Sequence, residues 1–525
     1  MGKKITLALP AKDEVWKFKK YVCRAKLLDL RGGKPIVILN QDEAHQNDIY
    51  MGHRVVLQAD GRKTYARVDL SDDMVKIGEI GLFGEVADEL KVKEGQAVLI
   101  HHTGRPESIE YIKNKIDGKE LAPPHMRKII DEVMDDSLSE GEMAAFMSAC
   151  YIRGMTDNEV VGLTDAIVAT GSPFHVGKIP VVDKHCIGGV AGNRTTMVIV
   201  PIMAAAGAYM PKSSSRSITS AAGTADTMET ICEVSLPIEE MERQVRKVGG
   251  CVVWGGAINL AAADDKLIKI RNPLSLDPKG VLLASILAKK KSVGAQYCII
   301  DIPIGRGVKV QDAKEAQALA RDFIGIGKRL GIEIEAMITD GSEPIGRGIG
   351  PALECRDVLR ALENKDHPHD LKEKSCQMAG VLLELCGKAQ KGRGYGIAMQ
   401  LIENGKALAK FKEIVEWQGG NVKKLTSDSM DGRIGSRHHT VKASAGGKIS
   451  HIDNKLMSKI ARAAGAPADK GAGIFLRVHR GDVVKAGDSL FDIFSESESK
   501  LDFAIKALEG WEAVELEKVV LDRVR

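Results

Sequence analysis

Three stretches of this chain concentrate side chains able to handle a phosphate and a leaving group. The first, Asp183-Lys-His-Cys-Ile-Gly-Gly-Val-Ala-Gly-Asn-Arg-Thr-Thr196, follows an apolar run and leads into an apolar helix predicted to begin near Thr195. Glycines let successive backbone N–H groups converge on an anion, a helix N-terminus adds partial positive charge, and Lys184 adds a full one. The same residues also suit an ordinary glycine-rich turn, and the G-x-x-x-x-G-K-[ST] order of a Walker loop is absent. The second, Lys212 to Asp226, is crowded with serine and threonine and carries Lys212 and Arg216. Hydroxyls of this kind act as caps and turn formers, but beside a phosphate loop they suit a ligand bearing both phosphate and ribose. The third is Asp277-Pro278. A carboxylic acid there could donate a proton to a leaving group, whereas the spacing alone reads equally well as an N-cap followed by proline.

The elements that must hold these stretches follow from periodicity. Residues 20 to 104 alternate apolar and polar in short pieces, which predicts a β domain over 1–104. From 105 to 170 the period becomes helical, with Ile129, Ile130, Val133 and Met134 on one face. Capping boxes at Ser139-x-x-Glu142 and Thr156-x-x-Glu159 announce two helix starts. From 171 to 435 apolar strand-like runs alternate with helices, which implies a mainly parallel sheet whose ligands bind at the carboxyl ends of the strands. Residues 436–525 return to short strands and tight turns, an α+β unit. The fold class expected is therefore multidomain α/β.

Bulk properties narrow the function. The 525 residues exceed what one core supports, and a net charge of +4 with 28% charged residues lacks the basic excess of a nucleic-acid binder. The longest nearly uncharged run, Met197 to Met210, is too short to span a bilayer and is broken by Pro201 and Gly207. The first twenty residues carry no cleavage pattern, so a cytoplasmic location is expected. Nine scattered cysteines, none in a C-x-x-C pair, argue against disulfides and zinc. No carboxylate cluster has metal-ligand spacing, so no metal is expected.

The strings KHCIGGVAGNRTT, SSRSITSAAGTAD, WGGAINLAAADD, LSLDPKGVLLASILAKK and IDIPIGRGVKV, in this order, resemble the nucleoside phosphorylase family that contains thymidine phosphorylase. The likeness runs from about residue 20 to the C-terminus and is nearest to the archaeal branch acting on nucleotides. Where thymidine phosphorylases carry G-x-G-H-T-G-G-T, this chain has Ser217 to Thr224, which favours that branch. The resemblance implies a parallel α/β domain of nucleoside phosphorylase type, and a helical domain joined by residues 262–293. The implied reaction is phosphorolysis of AMP, with CMP and UMP as further substrates, to free base and ribose 1,5-bisphosphate. It also implies inorganic phosphate as co-substrate, no cofactor, small-molecule partners, and a homodimer or larger homo-oligomer.

Residue by residue, the resemblance makes Asp277 the proton donor. It assigns Gly189, Ser215, Arg216, Ser217, Ile218, Thr219, Ser220, Thr224, Ser285 and Lys309 to AMP, with Arg216 and Lys309 suited to the 5′-phosphate. Lys184, Thr196, Ser214 and Thr224 match phosphate ligands of the wider family, and Lys289 keeps the spacing of a base-pocket residue. Cys186 stands where relatives have a phosphate-binding serine, and a thiol is a weaker donor. Arg271 lies one position nearer Asp277 than the family's base-binding arginine. His185 reads as structural. Two alternatives remain at this point: a pyrimidine nucleoside (thymidine) phosphorylase, and a biotinyl- or lipoyl-type carrier role for the C-terminal unit, whose Gly481-to-Phe491 strand and turn pattern is hammerhead-like with Lys455 as nearest carrier lysine.

Overall fold

The computed structural model describes residues 20–102, 106–172, 174–217, 220–258, 260–274 and 276–517. The backbone condenses into two compact units, one formed by the chain up to Met155 with Lys266–Pro278, the other by Thr156–Asp265 with Lys279–Arg525. This division follows contacts rather than element type. The expected helical stretch 105–170 is split between units, and of 262–293 only Lys266–Pro278 goes with the first.

In the first unit, β1 (Lys20–Leu27), β2 (Ile36–Leu39), β3 (Arg54–Ala59), β4 (Arg62–Leu70), β5 (Glu79–Leu82) and β6 (Ala97–His102) close into a barrel in the order β1-β5-β2-β4-β3-β6. Strand alternation builds it. Along β4, Thr64, Ala66 and Val68 are buried while Tyr65 and Arg67 lie on the other face. Val37, Leu39, Val55, Leu57, Ile80, Leu82, Val98 and Ile100 fill the interior. Helices Ser108–Ile116, Pro123–Met134 and Glu140–Arg153 follow, the last opened by the predicted Ser139–Glu142 capping box.

The second unit opens with helix Asp157–Ala169, behind the predicted Thr156–Glu159 box. Its sheet contains β7 (Val182–Cys186), β8 (Met210–Ser214), β9 (Gly250–Trp254), β10 (Tyr297–Ile304) and β11 (Glu333–Asp340). All pairings are parallel: β11-β10-β7 form one ladder and β8-β9 another. Val182 N donates to Tyr209 O (2.8 Å), bringing β7 beside the start of β8. Central β10 is buried almost throughout and reads as a largely apolar run, as does β9, whereas β11 alternates between exposed and buried positions and β7 and β8 carry charged and polar residues. Helix Thr195–Ala205, within which Met197, Val198, Ile199, Val200, Ile202 and Met203 are fully buried, anchors the core.

Some readings shift. The segment Lys212–Asp226 starts inside β8, so Lys212 and Ser213 are buried strand residues rather than loop residues. The charged stretch 363–374 contains the start of helix His369–Leu385.

The C-terminal strands are β12 (Gly348–Ile349), β13 (Arg437–Lys442), β14 (Gly447–Ile452), β15 (Gly473–Leu476), β16 (Val483–Val484), β17 (Ser489–Ser495) and β18 (Val514–Leu516). They form the sheets β12-β15-β17-β13 and β16-β14-β18. Because β12 precedes residue 436 yet pairs with β15, the C-terminal segment is stitched into the second unit. Lys455 sits in helix Asn454–Ala463, capped by Asp453, and not at a hairpin tip. The carrier reading fails on that geometry.

Candidate active site

Within the second unit, every phosphate-handling candidate loop leaves the carboxyl end of a parallel strand. The glycine loop follows β7, the serine-rich loop follows β8, and Gly305–Lys309 follows β10. Register aligns the β7 and β10 loops, since Cys186, the last residue of β7, pairs with Asp301 in the C-terminal half of β10.

The glycine loop is shaped by its neighbours. Gly188, Gly189 and Gly192 have positive φ, and at Gly189 (φ +98°) a Cβ would come within 2.9 Å of Val308 Cα and 3.1 Å of Lys309 N. Only glycine lets the two loops approach this closely. Gly189 and the backbone of Lys309, both assigned to AMP by resemblance, are thereby adjacent, while the residue Lys309 is exposed.

Lys184 is 2% exposed and donates from Nζ to Thr195 Oγ1 (2.8 Å), with Asp301 Oδ2 at 3.7 Å. Of the adjacent threonines, Thr195 therefore meets Lys184, and Thr196 is buried beside it in sequence. Burial drives the Lys184 ammonium below its ordinary pKa, against the pull of Cys186 and Asp301. Asp301 is buried, which raises its pKa, yet Lys184 and Lys374 (3.1 Å) outweigh that and hold it at about 2. Behind the strand, Asp183 accepts from Lys290 Nζ (2.7 Å) with Lys212 Nζ at 3.6 Å. Burial lowers Lys212 to about 8. Burial, then Lys290 and Lys212, push His185 well below the usual histidine value, so it is neutral and suited to a structural role. Burial lifts the Cys186 thiol to about 11, and Asn193 Nδ2 lies 3.3 Å from its sulfur. A protonated thiol is a poor partner for phosphate.

Arg194, which the sequence did not single out, joins the two loops. Its guanidinium donates to Ala222 O (2.5 Å) and Thr224 Oγ1 (3.4 Å), and Nε meets buried Glu354 (2.5 Å). The serine-rich loop folds on itself: Ser217 N and Gly223 N both donate to Asp226 Oδ2 (2.7 and 2.8 Å), and Ser217 Oγ donates to Ser220 O. Ser214 Oγ donates to Val253 O (3.0 Å), and Ser215 is exposed. Arg216 is committed within the protein. It makes a two-pronged contact with Glu229 (2.7 and 2.5 Å), touches Asp226 (3.3 Å) and lies 4.8 Å over the Trp254 ring. Ile218 and Thr219 lie outside the described residues. On helix Lys279–Ser292, Ser285 is buried and Lys289 is paired with Asp264 (2.7 Å).

Asp277 belongs to the first unit, where its carboxylate pairs with the guanidinium of Arg271. Its side chain is 40% exposed. The following helix begins at Lys279. Among the described residues no helix is long and apolar enough to cross a membrane.

Comparison with known proteins defines the class first. Residues 109–171 match the helical bundle domain of a glycosyl transferase family, residues 178–408 its a/b domain, and residues 448–512 a pyrimidine nucleoside phosphorylase C-terminal domain. The fold of an anthranilate phosphoribosyltransferase from Thermus thermophilus superposes with a TM-score of 0.51 at 18% identity, covering 59% of this chain and 99% of that one. The chain is thus a glycosyl transferase. It is 44% identical to AMP phosphorylases of Thermococcus kodakarensis and Pyrococcus furiosus, over 95% of its length and 99% and 98% of theirs. That of Methanococcus aeolicus is 43% identical over 95% of the chain and 98% of the relative. The chain belongs to the AMP phosphorylase family.

Proposed function

We propose that this enzyme catalyses the phosphorolysis of AMP, and of CMP and UMP, to free base and ribose 1,5-bisphosphate. The observation that carries this reading is the gathering of a glycine loop, a hydroxyl-rich loop and the Lys309 loop at the carboxyl ends of β7, β8 and β10. Membership of the family supports the substrate class.

In the proposed reaction an oxygen of inorganic phosphate forms a bond to C1′ while the bond from C1′ to the base nitrogen breaks. The electron pair of that bond passes to the base, and Asp277, which takes up a proton as its pairing with Arg271 is released, hands that proton to a ring nitrogen. Lys184, with Thr195 and Thr196 at the helix start, supplies positive charge and donors to the inorganic phosphate. Ser214 and Thr224 add hydroxyls, and Gly189 leaves backbone room. Ser215, Ser217, Ile218, Thr219, Ser220 and Ser285 are assigned to the nucleotide, Lys309 to its 5′-phosphate and Lys289 to the base. Arg216 reaches the 5′-phosphate by sharing its guanidinium with Glu229 or by releasing it. Cations, hydroxyls and backbone amides suffice for these roles, so no metal or cofactor is invoked. The same reading has the enzyme working in the cytoplasm as a homo-oligomer.

Phosphorus NMR of AMP incubated with enzyme and inorganic phosphate tests the chemistry. Loss of inorganic phosphate matched by a new sugar-1-phosphate resonance, with the 5′-phosphate retained, is the expected result. Release of base without consumption of phosphate would make the enzyme a hydrolase instead.

A further inference from the structure

The first unit contains a cavity of about 480 Å³ beside the barrel, within the usual range for small-molecule sites. It is walled by β3, β4, the start of helix Glu140–Arg153 and the Lys266–Ile270 segment. Its charges do not balance. Lys34 pairs with Glu140 (2.8 Å), Lys266 with Asp136 (2.7 Å) and Arg54 with Glu142. Two further cations line the wall, Arg67 and Lys269, and neither has a carboxylate partner among the described residues.

Arg67 stands directly opposite Arg54 in the β3–β4 register. Like charges facing each other across a strand pair repel. The repulsion is felt, since burial and then Arg67 lower the Arg54 guanidinium against the pull of Glu142. Arg67 Nη2 is moreover buried with no hydrogen-bond partner among the described residues, a costly arrangement unless something else accepts from it. Tyr65, on the same face of β4, adds a flat apolar wall.

We propose that this cavity is a second binding site, separate in the chain from the phosphorylase loops, for a phosphomonoester such as a sugar phosphate or mononucleotide. Two uncompensated cations match a phosphate dianion. The buried Nη2 of Arg67 offers one of the two parallel donors of a forked guanidinium contact, and Tyr65 packs against the sugar or base. Lys269 reaches from the helix that ends at Arg271, the partner of Asp277.

Isothermal titration of the full-length protein with AMP, ribose 5-phosphate and inorganic phosphate, each alone, tests this. At least one of the two monoesters should bind at two sites per chain. The double variant Arg67→Gln/Lys269→Gln should lose one of them, or weaken it by on the order of tenfold or more. The charge-preserving Arg67→Lys/Lys269→Arg variant should keep both. Hydrogen exchange of the unmutated protein gives a readout independent of variant folding: the monoester should protect Arg62–Leu70. One site per chain for both monoesters, a second site for inorganic phosphate only, an undiminished second site in the Gln variant, or no protection of Arg62–Leu70 would each overturn the proposal.

Discussion

At the scale of single residues, Asp277 separates chemistry from architecture. Replacement by Asn removes the proton but keeps the size and most hydrogen bonds, and the pair it forms with Arg271 is partly exposed, so melting should barely change. Turnover should fall by roughly 10² to 10⁴, the usual worth of a positioned proton donor. Initial rates and a thermal melt of one purified variant decide. Undiminished turnover would leave Asp277 a helix-start residue only. Glu229 gives a second test. The hydrogen bond from Arg216 holds its carboxylate at about 2, against the cost of burial and with help from Lys470, whereas the unfolded value is 4.5. A folded pKa below the unfolded one contributes stability that is present above pH 4.5 and is lost as pH falls toward 2. The stability gap between the parent and Glu229→Gln should therefore be about 1 to 3 kcal/mol near neutrality and shrink through that window. A gap constant with pH would contradict the ion-pair assignment.

Residue types with local meaning were legible in the chain itself. Gly188, Gly189 and Gly192 take the positive φ that a glycine-rich loop suggests, and both capping boxes formed as read. Arg194, Asp301 and Asn454 were not legible, because each acts through partners more than 25 positions away: Arg194 on Thr224 and Glu354, Asp301 on Lys184 and Lys374, Asn454 on Ala191 and Gly341. Arg216 was expected to meet a ligand phosphate, but nothing in its neighbourhood in the chain revealed that Glu229 and Trp254 would converge on it.

At the scale of elements, the loops after β7 and β10 act as one unit because Gly189 has no side chain. Gly189→Ala would force an unfavourable φ and press a methyl against the Val308 backbone. The expected cost is about 1 to 3 kcal/mol of stability together with a raised KM for phosphate. Normal melting and normal KM would show that the loops do not depend on each other. Periodicity marks strand-like runs at 251–254, 297–302 and 333–339, which are β9, β10 and β11 nearly to the residue. It missed β8 as a strand because Lys212 and its serines look like loop, and only the parallel partner β9 and the buried Asp183 make that lysine tolerable inside. The barrel's strand order was equally invisible, since β1 pairs with β5 and β6, far apart in the chain.

At the scale of the molecule, the C-terminal segment is part of the glycine loop's foundation. Buried Asn454 accepts from Ala191 N (2.9 Å) and donates to Gly341 O (2.9 Å), while Ala191, Ala221 and Ile349 share a core with Ile474, Leu476 and Ile493. Deleting residues 437–525 should expose that core and produce aggregation, read by size-exclusion chromatography. A soluble truncated protein with full activity would contradict this role.

The central claim is that a nucleoside 5′-monophosphate, and not a nucleoside, is the substrate. Comparing kcat/KM for phosphate-dependent base release from AMP and from thymidine tests it most directly. Charge-assisted contacts to the 5′-phosphate are each worth about 1.5 to 3 kcal/mol, so AMP should be favoured by at least about tenfold. Equal efficiency on thymidine and AMP would contradict the account.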